Sequence, residues 1–600
     1  MEDAIGYVTK VNLDVRKVYI YCFESDSDSP YNLKTKNFNP HANTLVKIQT
    51  GFNTIILKII GAQYIRNKST GGEIYKELDA TIYGSFINKK NTENFIKGSF
   101  GIPIILGSRV YELTLEDLKI INNDLKLKNE YEIGKDLEND NFNVKTNLNN
   151  FFASHLGIFG NTGSGKSVTL SKIFSDLIEN RELFNSHIKV KLFLFDYNNE
   201  YSNSICENNL SNFSKTIYLD NKNKITINFN EINGDIWCNV LNATTKTQAP
   251  LIKKSWKEYK KIIKEEKNEV EKYLQDIIFK ICKDKKFDWL FKLKTIIENS
   301  NFLFKDDESW KLFLKNLNKI RIAKKDGGTG SAHIGEIFLN QEPDIKINET
   351  IKTEIFQNSI KLQTNISKDI NFFVFLILYH IVIDGGNDDW LMPVYNRSLL
   401  VRDEFNDIFD LNFENDFFDF FDFFDNGISI FELQNYTDSN KNIIINFITS
   451  LILGKIKKAE KNKNYINLII DEAHNVTVKS EDDENISSLN ILKKIIREGR
   501  KYGLFLTLAS QRPADIPTDI LSQMHNFIIH KLINDKDIDI IKQTNSYVGN
   551  DKIGLLPTLV PGQCLVSGTA FEDARFIKID IENMKGTKPK SENILLFDKK

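Results

Sequence analysis

The chain has 600 residues, 41% of them hydrophobic and 27% charged, with a formal net charge of −2. That length exceeds what one hydrophobic core serves, so an ordinary folded protein of several domains is expected. The near-neutral balance excludes a globally basic nucleic-acid binder, though not a local basic surface such as a pore lining.

The five cysteines (Cys22, Cys206, Cys238, Cys282 and Cys564) form no C-x-x-C pair. This argues against structural zinc and a disulfide framework, and it fits a reducing compartment. Met1 to Gly6 carries no basic-then-apolar signal. The most apolar run, Phe372–Ile383, falls short of the ~20 residues of a membrane span and reads as buried core. A cytoplasmic protein with no membrane partner is expected.

Residues 1–125 read as short strands, such as Lys17–Tyr21 and Thr54–Ile60, separated by turn clusters at Ser25–Pro30 and Ser69–Gly72. A small barrel or sandwich follows from that pattern. Residues 126–150 are polar and read as a linker. At 151 the pattern becomes strand–turn–helix: His155–Phe159, a glycine-rich loop, and helical periodicity from Ser167 on. A second strand covers Val190–Phe195. Residues 151–239 are thus the first part of an α/β core. Residues 240–400 read as a mostly helical insertion with few strand signals, its Lys/Glu-rich faces, as at Lys253–Tyr273, solvated. The core resumes over 401–585, and 586–600 is a tail. Within 416–425 an Asp-Phe-Phe repeat reads as a docking helix or as a partner-binding segment. Strands alternating with helices imply a mostly parallel sheet.

Gly160-Asn161-Thr162-Gly163-Ser164-Gly165-Lys166-Ser167 matches G-x-x-x-x-G-K-[ST] at every fixed position. Glycines let the backbone wrap a phosphate, with N–H groups pointing inward at the start of a helix whose dipole favours anions. Lys166 is expected on the β- and γ-phosphates of ATP and Ser167 on Mg²⁺; Val168, next in the helix, completes the nucleotide-binding set. Tyr465–Ile470 is a buried-strand pattern ending in Asp471-Glu472-Ala473-His474. A carboxylate at the tip of a strand beside the phosphate-loop strand can hold the magnesium through water. Asp471 is assigned that role, and Glu472 the polarising of the attacking water. His474 reads as structural or as a sensor.

Two further strand ends face the ligand crevice. One is Asp196, with Glu200-Tyr201 behind it. The other is Ser510-Gln511-Arg512-Pro513, where Gln511 senses the γ-phosphate, orients water, or is only a polar turn residue. The amphipathic helix Ile491–Lys501 ends with Arg497 and Arg500. These either complement the helix dipole or reach a neighbouring subunit's nucleotide as an arginine finger.

The set His155–Ser167, Asp196 with Glu200-Tyr201, Ile469–His474, and Arg497-Glu498-Gly499-Arg500-Lys501-Tyr502-Gly503 running on to Ser510-Gln511-Arg512-Pro513 resembles the HerA helicases. These belong to the HerA/FtsK group of hexameric DNA-pumping ATPases. The resemblance continues through Leu521–Met524 and Leu559–Gly568. At the N-terminus Gly6-Tyr7-Val8 and Phe100–Pro103 are similar to the ends of the family's small β-barrel. It implies an α/β, RecA-like P-loop core with an N-terminal β-barrel and a helical insertion. It also implies a six-membered ring, sites shared between subunits, and Arg497 or Arg500 as the finger. Translocation on double-stranded DNA with a nuclease or sirtuin-like effector, as in antiviral systems, is the implied activity. The chain departs from the family at Asn199, commonly glycine, and near His530-Lys531-Leu532, often an arginine.

Two functions compete. One is an ATP-driven double-stranded-DNA translocase. The other is a ring scaffold that uses ATP to assemble or gate an effector, suggested by the near-neutral composition and the Asp-Phe repeat. A protein unfoldase or a metabolic kinase has little in its favour.

Overall fold

The computed structural model describes residues 4–12, 17–22, 44–50, 53–66, 74–89, 92–98, 104–121, 130–137, 143–180, 188–202, 214–218, 224–243, 246–265, 270–284, 287–298, 303–325, 328–334, 337–338, 342–357, 360, 362, 370–385, 388–412, 427–458, 464–477, 488–571 and 573–579. The chain forms two compact units, Met1–Glu130 and Tyr131–Lys600.

The first unit holds β1 (Gly6–Asn12), β2 (Lys17–Cys22), β3 (Leu45–Thr50), β4 (Asn53–Arg66), β5 (Ile74–Lys89), β6 (Thr92–Lys97) and β7 (Arg109–Glu112). Strand order is β2-β1-β7-β3-β4-β5, and β5 also pairs with β2, so six strands close a barrel that carries β6 on its edge. Alternation with period two makes this possible: Val18, Ile20 and Cys22 point inward and are buried, while Lys17, Tyr19 and Tyr21 are partly exposed. Closure removes the open edges that would otherwise recruit other strands. The expected barrel is present. The turn clusters at Ser25–Pro30, Ser69–Gly72 and Phe100–Pro103 lie outside the described residues.

The second unit begins with β8 (Glu130–Asp136), β9 (Asn143–Asn147) and the short helix Leu148–Phe152. The stretch expected as a linker, 126–150, therefore contributes two strands. Tyr131, Ile133, Val144 and Leu148 are buried among its polar residues. One buried face suffices to hold antiparallel strands, however polar the other face is.

There follow β10 (Leu156–Phe159), β11 (Lys189–Asp196), β12 (Ser214–Tyr218), β13 (Ile225–Asn228), β14 (Ile320–Lys325), β15 (Gly328–Ile334), β16 (Ile337–Phe338) and β17 (Phe409–Asn412). The last six are β18 (Gly427–Glu432), β19 (Asn464–Ile470), β20 (Leu504–Ser510), β21 (Asn526–Ile529), β22 (Gln563–Gly568) and β23 (Arg575–Ile579). Eleven strands of this unit form one sheet, β12-β18-β11-β19-β20-β10-β21-β22-β23-β8-β9. Neighbours are parallel from β12 to β21 and antiparallel from β21 to β8.

Both faces of the parallel part are covered, which is why its strands read as continuous apolar runs. Leu192, Leu194 and Ile469 join one core layer with Leu170, Ile173 and Phe174 of helix Lys166–Glu179. Phe193, Phe195, Leu468 and Ile470 face the other layer, with helix Asp438–Ile456. The order also corrects one expectation. β20 lies between β10 and β19, so the acid-bearing strand is next but one to the phosphate-loop strand, not beside it.

Between the paired strands β13 and β17 run the helices Gln248–Glu265, Val270–Asp284, Phe287–Glu298, Asp307–Leu317, Asp344–Glu354, Asn371–Asp384 and Asp388–Ile408. A small antiparallel sheet, β14-β15-β16, stands among them, where few strand signals had been read. Trp237 and Trp256 anchor the helices, their ring centroids 5.3 Å apart. The apolar run Phe372–Ile383 forms most of the buried helix Asn371–Asp384. Among the described residues no helix is long and apolar enough to cross a membrane. The boundaries expected at 239/240 and 400/401 fall inside the helices Gly234–Val240 and Asp388–Ile408. The repeat at 416–425 and the tail 586–600 lie outside the described residues.

Candidate nucleotide-binding site

Parallel strands bring their C-terminal ends to one side of the sheet, where ligands bind. After β10 the chain passes through Gly160–Gly165 into helix Lys166–Glu179. Gly165, the N-cap, sits at φ 103° and brings no side chain to cap the helix. A left-handed backbone costs other residues roughly 1–2 kcal/mol, and the uncapped first-turn N–H groups, with Ser167 and Val168, suit an anion. Hydrogen bonds pin the loop: Gly160 N donates to Ser510 O at 3.2 Å, Asn161 N to Lys531 O at 2.9 Å, and Ser164 N to Asn161 O at 3.1 Å.

Four side chains meet above this loop. Lys166 Nζ lies 3.1 Å from Glu472 Oε1 and 3.5 Å from Asp471 Oδ1, all three residues being buried. Gln511 Nε2 donates to Glu472 Oε1 at 2.5 Å, and Gln511 Oε1 accepts the Thr162 hydroxyl. The acids are held by the backbone: Asp471 N donates to Phe195 O at 3.2 Å and Ala473 N to Ala509 O at 2.9 Å. Between them Glu472 adopts φ 47°, a region few non-glycine residues enter and one that recurs at functional sites. His474 Nδ1 is 3.1 Å from Ser510 Oγ and 3.4 Å from Glu472 Oε2. Burial, which favours the neutral ring, lowers its pKa against the opposing pull of Glu472.

The acids crowd one another. Burial pushes Asp471 up to about 6, with Lys166 opposing and Glu472 and Glu200 reinforcing. Asp196, at the end of β11, is pushed up to about 7, first by burial. The N–H groups of Tyr201, Glu200 and Asn198 restrain it, donating to its carboxylate at 2.9, 3.1 and 3.3 Å. This turn explains the departure at 199. Asn199 sits at φ 56°, which glycine takes freely and asparagine tolerates. Tyr201 is fully buried, and its hydroxyl interacts with Ser167.

Asp471 Oδ1 and Glu472 Oε2 are buried and accept no hydrogen bond. Oxygen donors of this kind fit Mg²⁺. Among the described residues no three His, Cys, Asp or Glu side chains form a self-sufficient metal cage. Magnesium usually completes its shell with water and phosphate oxygens, so the residues present fit the ion.

Arg497, in the last turn of helix Leu489–Glu498, and Arg500, in the 3₁₀ turn Gly499–Tyr502, are exposed. That turn leads into the start of β20, whereas Gln511 follows its end, roughly 20 Å away at ~3.3 Å per residue. Arg500 instead acts on His155 and His525, which precede β10 and β21. The structure therefore gathers Thr162, Lys166, Asp471, Glu472 and Gln511, and leaves Arg497 and Arg500 at the other end of the sheet. Gly503, at φ 74°, is required there, because a Cβ would come within 2.1 Å of Asn464 O.

Residues given no loop-supporting role in the sequence also hold the loop. His530 is fully buried, its N–H donating to Phe159 O at 2.7 Å and its Nδ1 bonded to Gln563 O at 3.0 Å. Gly562 N donates to Ser164 O at 3.0 Å. In the sequence His530 stood out only as a departure from the HerA pattern, and Gly562 only within the similar stretch Leu559–Gly568.

The family described as Helicase HerA, central domain, matches residues 131–348, starting where the second unit starts. The double-strand break repair helicase HerA of Saccharolobus solfataricus is 24% identical over 486 residues, 80% of this chain and 74% of that protein. The chain is thus similar to the HerA helicases over most of its length. A probable helicase of Methanocaldococcus jannaschii is 24% identical over 491 residues, 80% of this chain and 72% of its own. Among solved structures, VirB4 of Thermoanaerobacter pseudethanolicus covers 77% of this chain and 98% of its own, at 12% identity and a TM-score of 0.39, a loose likeness.

Proposed function

We propose that this chain belongs with the HerA helicases, hydrolyses ATP and uses the turnover to move along double-stranded DNA as a hexameric ring, working with a nuclease or sirtuin-like effector. The contact set joining Thr162, Lys166, Glu472 and Gln511 carries the reading. ATP phosphates lie on the loop N–H groups, and Lys166 neutralises the β- and γ-oxygens. Glu472 takes the proton of the attacking water, oriented with the help of Gln511. Ser167 and Asp471 would hold Mg²⁺, which would supply charge neutralisation at the phosphates. The exposed Arg497 or Arg500, remote from the site of its own chain, serves a neighbour's nucleotide. Residues 240–400 act as the helical insertion of a RecA-like core. Likeness to a DNA double-strand break repair helicase supports duplex DNA as the track.

Glu472→Gln tests the hydrolytic core. It is expected to bind ATP as the unmodified chain does and to turn it over at least ~100-fold more slowly. Unchanged turnover would remove Glu472 from the chemistry.

A further inference from the structure

The phosphate loop has two unlike flanks. On the β20–β19 side stand Gln511, Glu472 and Asp471, the groups that suit the γ-phosphate. On the other side lie β21 and the turn before β22. The chain leaving β21 is tied to the start of the loop: Asn161 N donates to Lys531 O at 2.9 Å, and Asn161 Oδ1 accepts from Ile533 N at 3.1 Å. The turn before β22 is tied to its end, where Gly562 N donates to Ser164 O at 3.0 Å. Val560 N in turn donates to Gln563 Oε1 at 3.2 Å.

Each pinned segment displays a large apolar side chain to solvent, Ile533 at 60% and Val560 at 54% exposure. Neither contributes to the core, and both are held by hydrogen bonds rather than frayed. A nucleotide whose γ-phosphate faces Glu472 must run its nucleoside away from β20, onto this flank. We propose that Ile533 and Val560 form the seat for the purine base of that nucleotide, covering its apolar faces. The proposal rests on the ATP-site reading above. Nearby amide oxygens are already engaged, Asn534 Oδ1 by Lys536 N and Gln563 Oε1 by Val560 N. The base is therefore held by its faces more than by its edges, and ATP and GTP bind with similar affinity.

Calorimetry on the full chain with ATP, GTP and inorganic tripolyphosphate tests this. Ile533→Asp and Val560→Asp are each expected to weaken ATP and GTP about tenfold, for the loss of some tens of Å² of apolar contact. Tripolyphosphate binding should stay within about twofold, and Ile533→Leu and Val560→Ile should retain ATP affinity. Unchanged ATP affinity in both aspartate variants overturns the seat. A fall in assembled mass alongside that result would make the two residues subunit contacts instead. Equal losses for ATP and tripolyphosphate also overturn it, because the loop itself would then be damaged. An unmodified chain that binds none of the three ligands fails the ATP reading, a result distinct from both.

Discussion

Gln511 donates its amide hydrogen to Glu472 Oε1 at 2.5 Å, and its carbonyl accepts the Thr162 hydroxyl. One side chain at the end of β20 thus spans the phosphate loop and the acid beyond β19. A shift of the loop is passed directly to Glu472, the group proposed to activate water.

Gln511→Ala breaks that bridge without touching the phosphate N–H groups. Steady-state kinetics should show kcat lowered on the order of 100-fold and KM within about threefold. A raised KM at unchanged kcat would place Gln511 in ground-state binding instead.

Asn199 bears the left-handed turn that wraps Asp196, at φ 56°. Asn199→Gly should leave stability within about 0.5 kcal/mol, whereas Asn199→Val should lower it by roughly 1–2 kcal/mol, read from urea unfolding. Equal stabilities for the two variants would show that the turn relaxes to another conformation.

His155 bridges β20 and the helix before it: Nδ1 accepts from Leu506 N at 3.1 Å and Nε2 reaches Ile496 O at 3.2 Å. Burial, with His525 reinforcing and the Ile496 carbonyl opposing, lowers its pKa from 6.5 to about 4. A depressed histidine pKa favours the neutral ring in the folded state. Its contribution is therefore present above pH ~6.5 and is lost as pH falls toward 4. By pH 5 this amounts to about 2 kcal/mol. His155→Gln should be less stable at pH 7 yet lose less between pH 7 and 5, in unfolding measured at both. Parallel pH curves would contradict this.

The chemistry of the site was far more legible than its architecture. The loop from Gly160 to Ser167 and the pair Asp471-Glu472 stand out because phosphate binding and hydrolysis restrict residue types at fixed spacing. That Lys166 meets Glu472, 306 residues away, follows once each comes just after the C-terminal end of a strand in one parallel sheet, β10 for Lys166 and β19 for Glu472. Strand order was not legible, because parallel pairing is decided by the packing of both faces rather than by any local run. Tyr131, Ile133 and Val144 were lost among polar neighbours because the two outermost antiparallel strands on that side bury only one apolar face. Asp196 was ambiguous for another reason: an acid that accepts three backbone N–H groups and one that binds metal look alike at a strand tip. Exposure of Ile533 and Val560 depends on folded surroundings and had no signal at all.

Arg497 and Arg500 are too remote to serve their own chain's site. Chains carrying both Arg497→Ala and Arg500→Ala, and chains carrying Lys166→Ala, should each be inactive alone. Mixed in equal amounts they should recover a measurable fraction of ATP turnover, since some interfaces then pair an intact loop with an intact arginine. No recovery across mixing ratios, with subunit exchange shown by mass, would argue against action in trans.

Displacement of a third strand from a duplex tests the coupling of this site to DNA movement most directly. With ATP and Mg²⁺ the unmodified chain should release the strand, and Glu472→Gln should not, although it binds ATP and DNA. Brisk ATP turnover with no displacement from any duplex, even with the effector partner present, would contradict translocation.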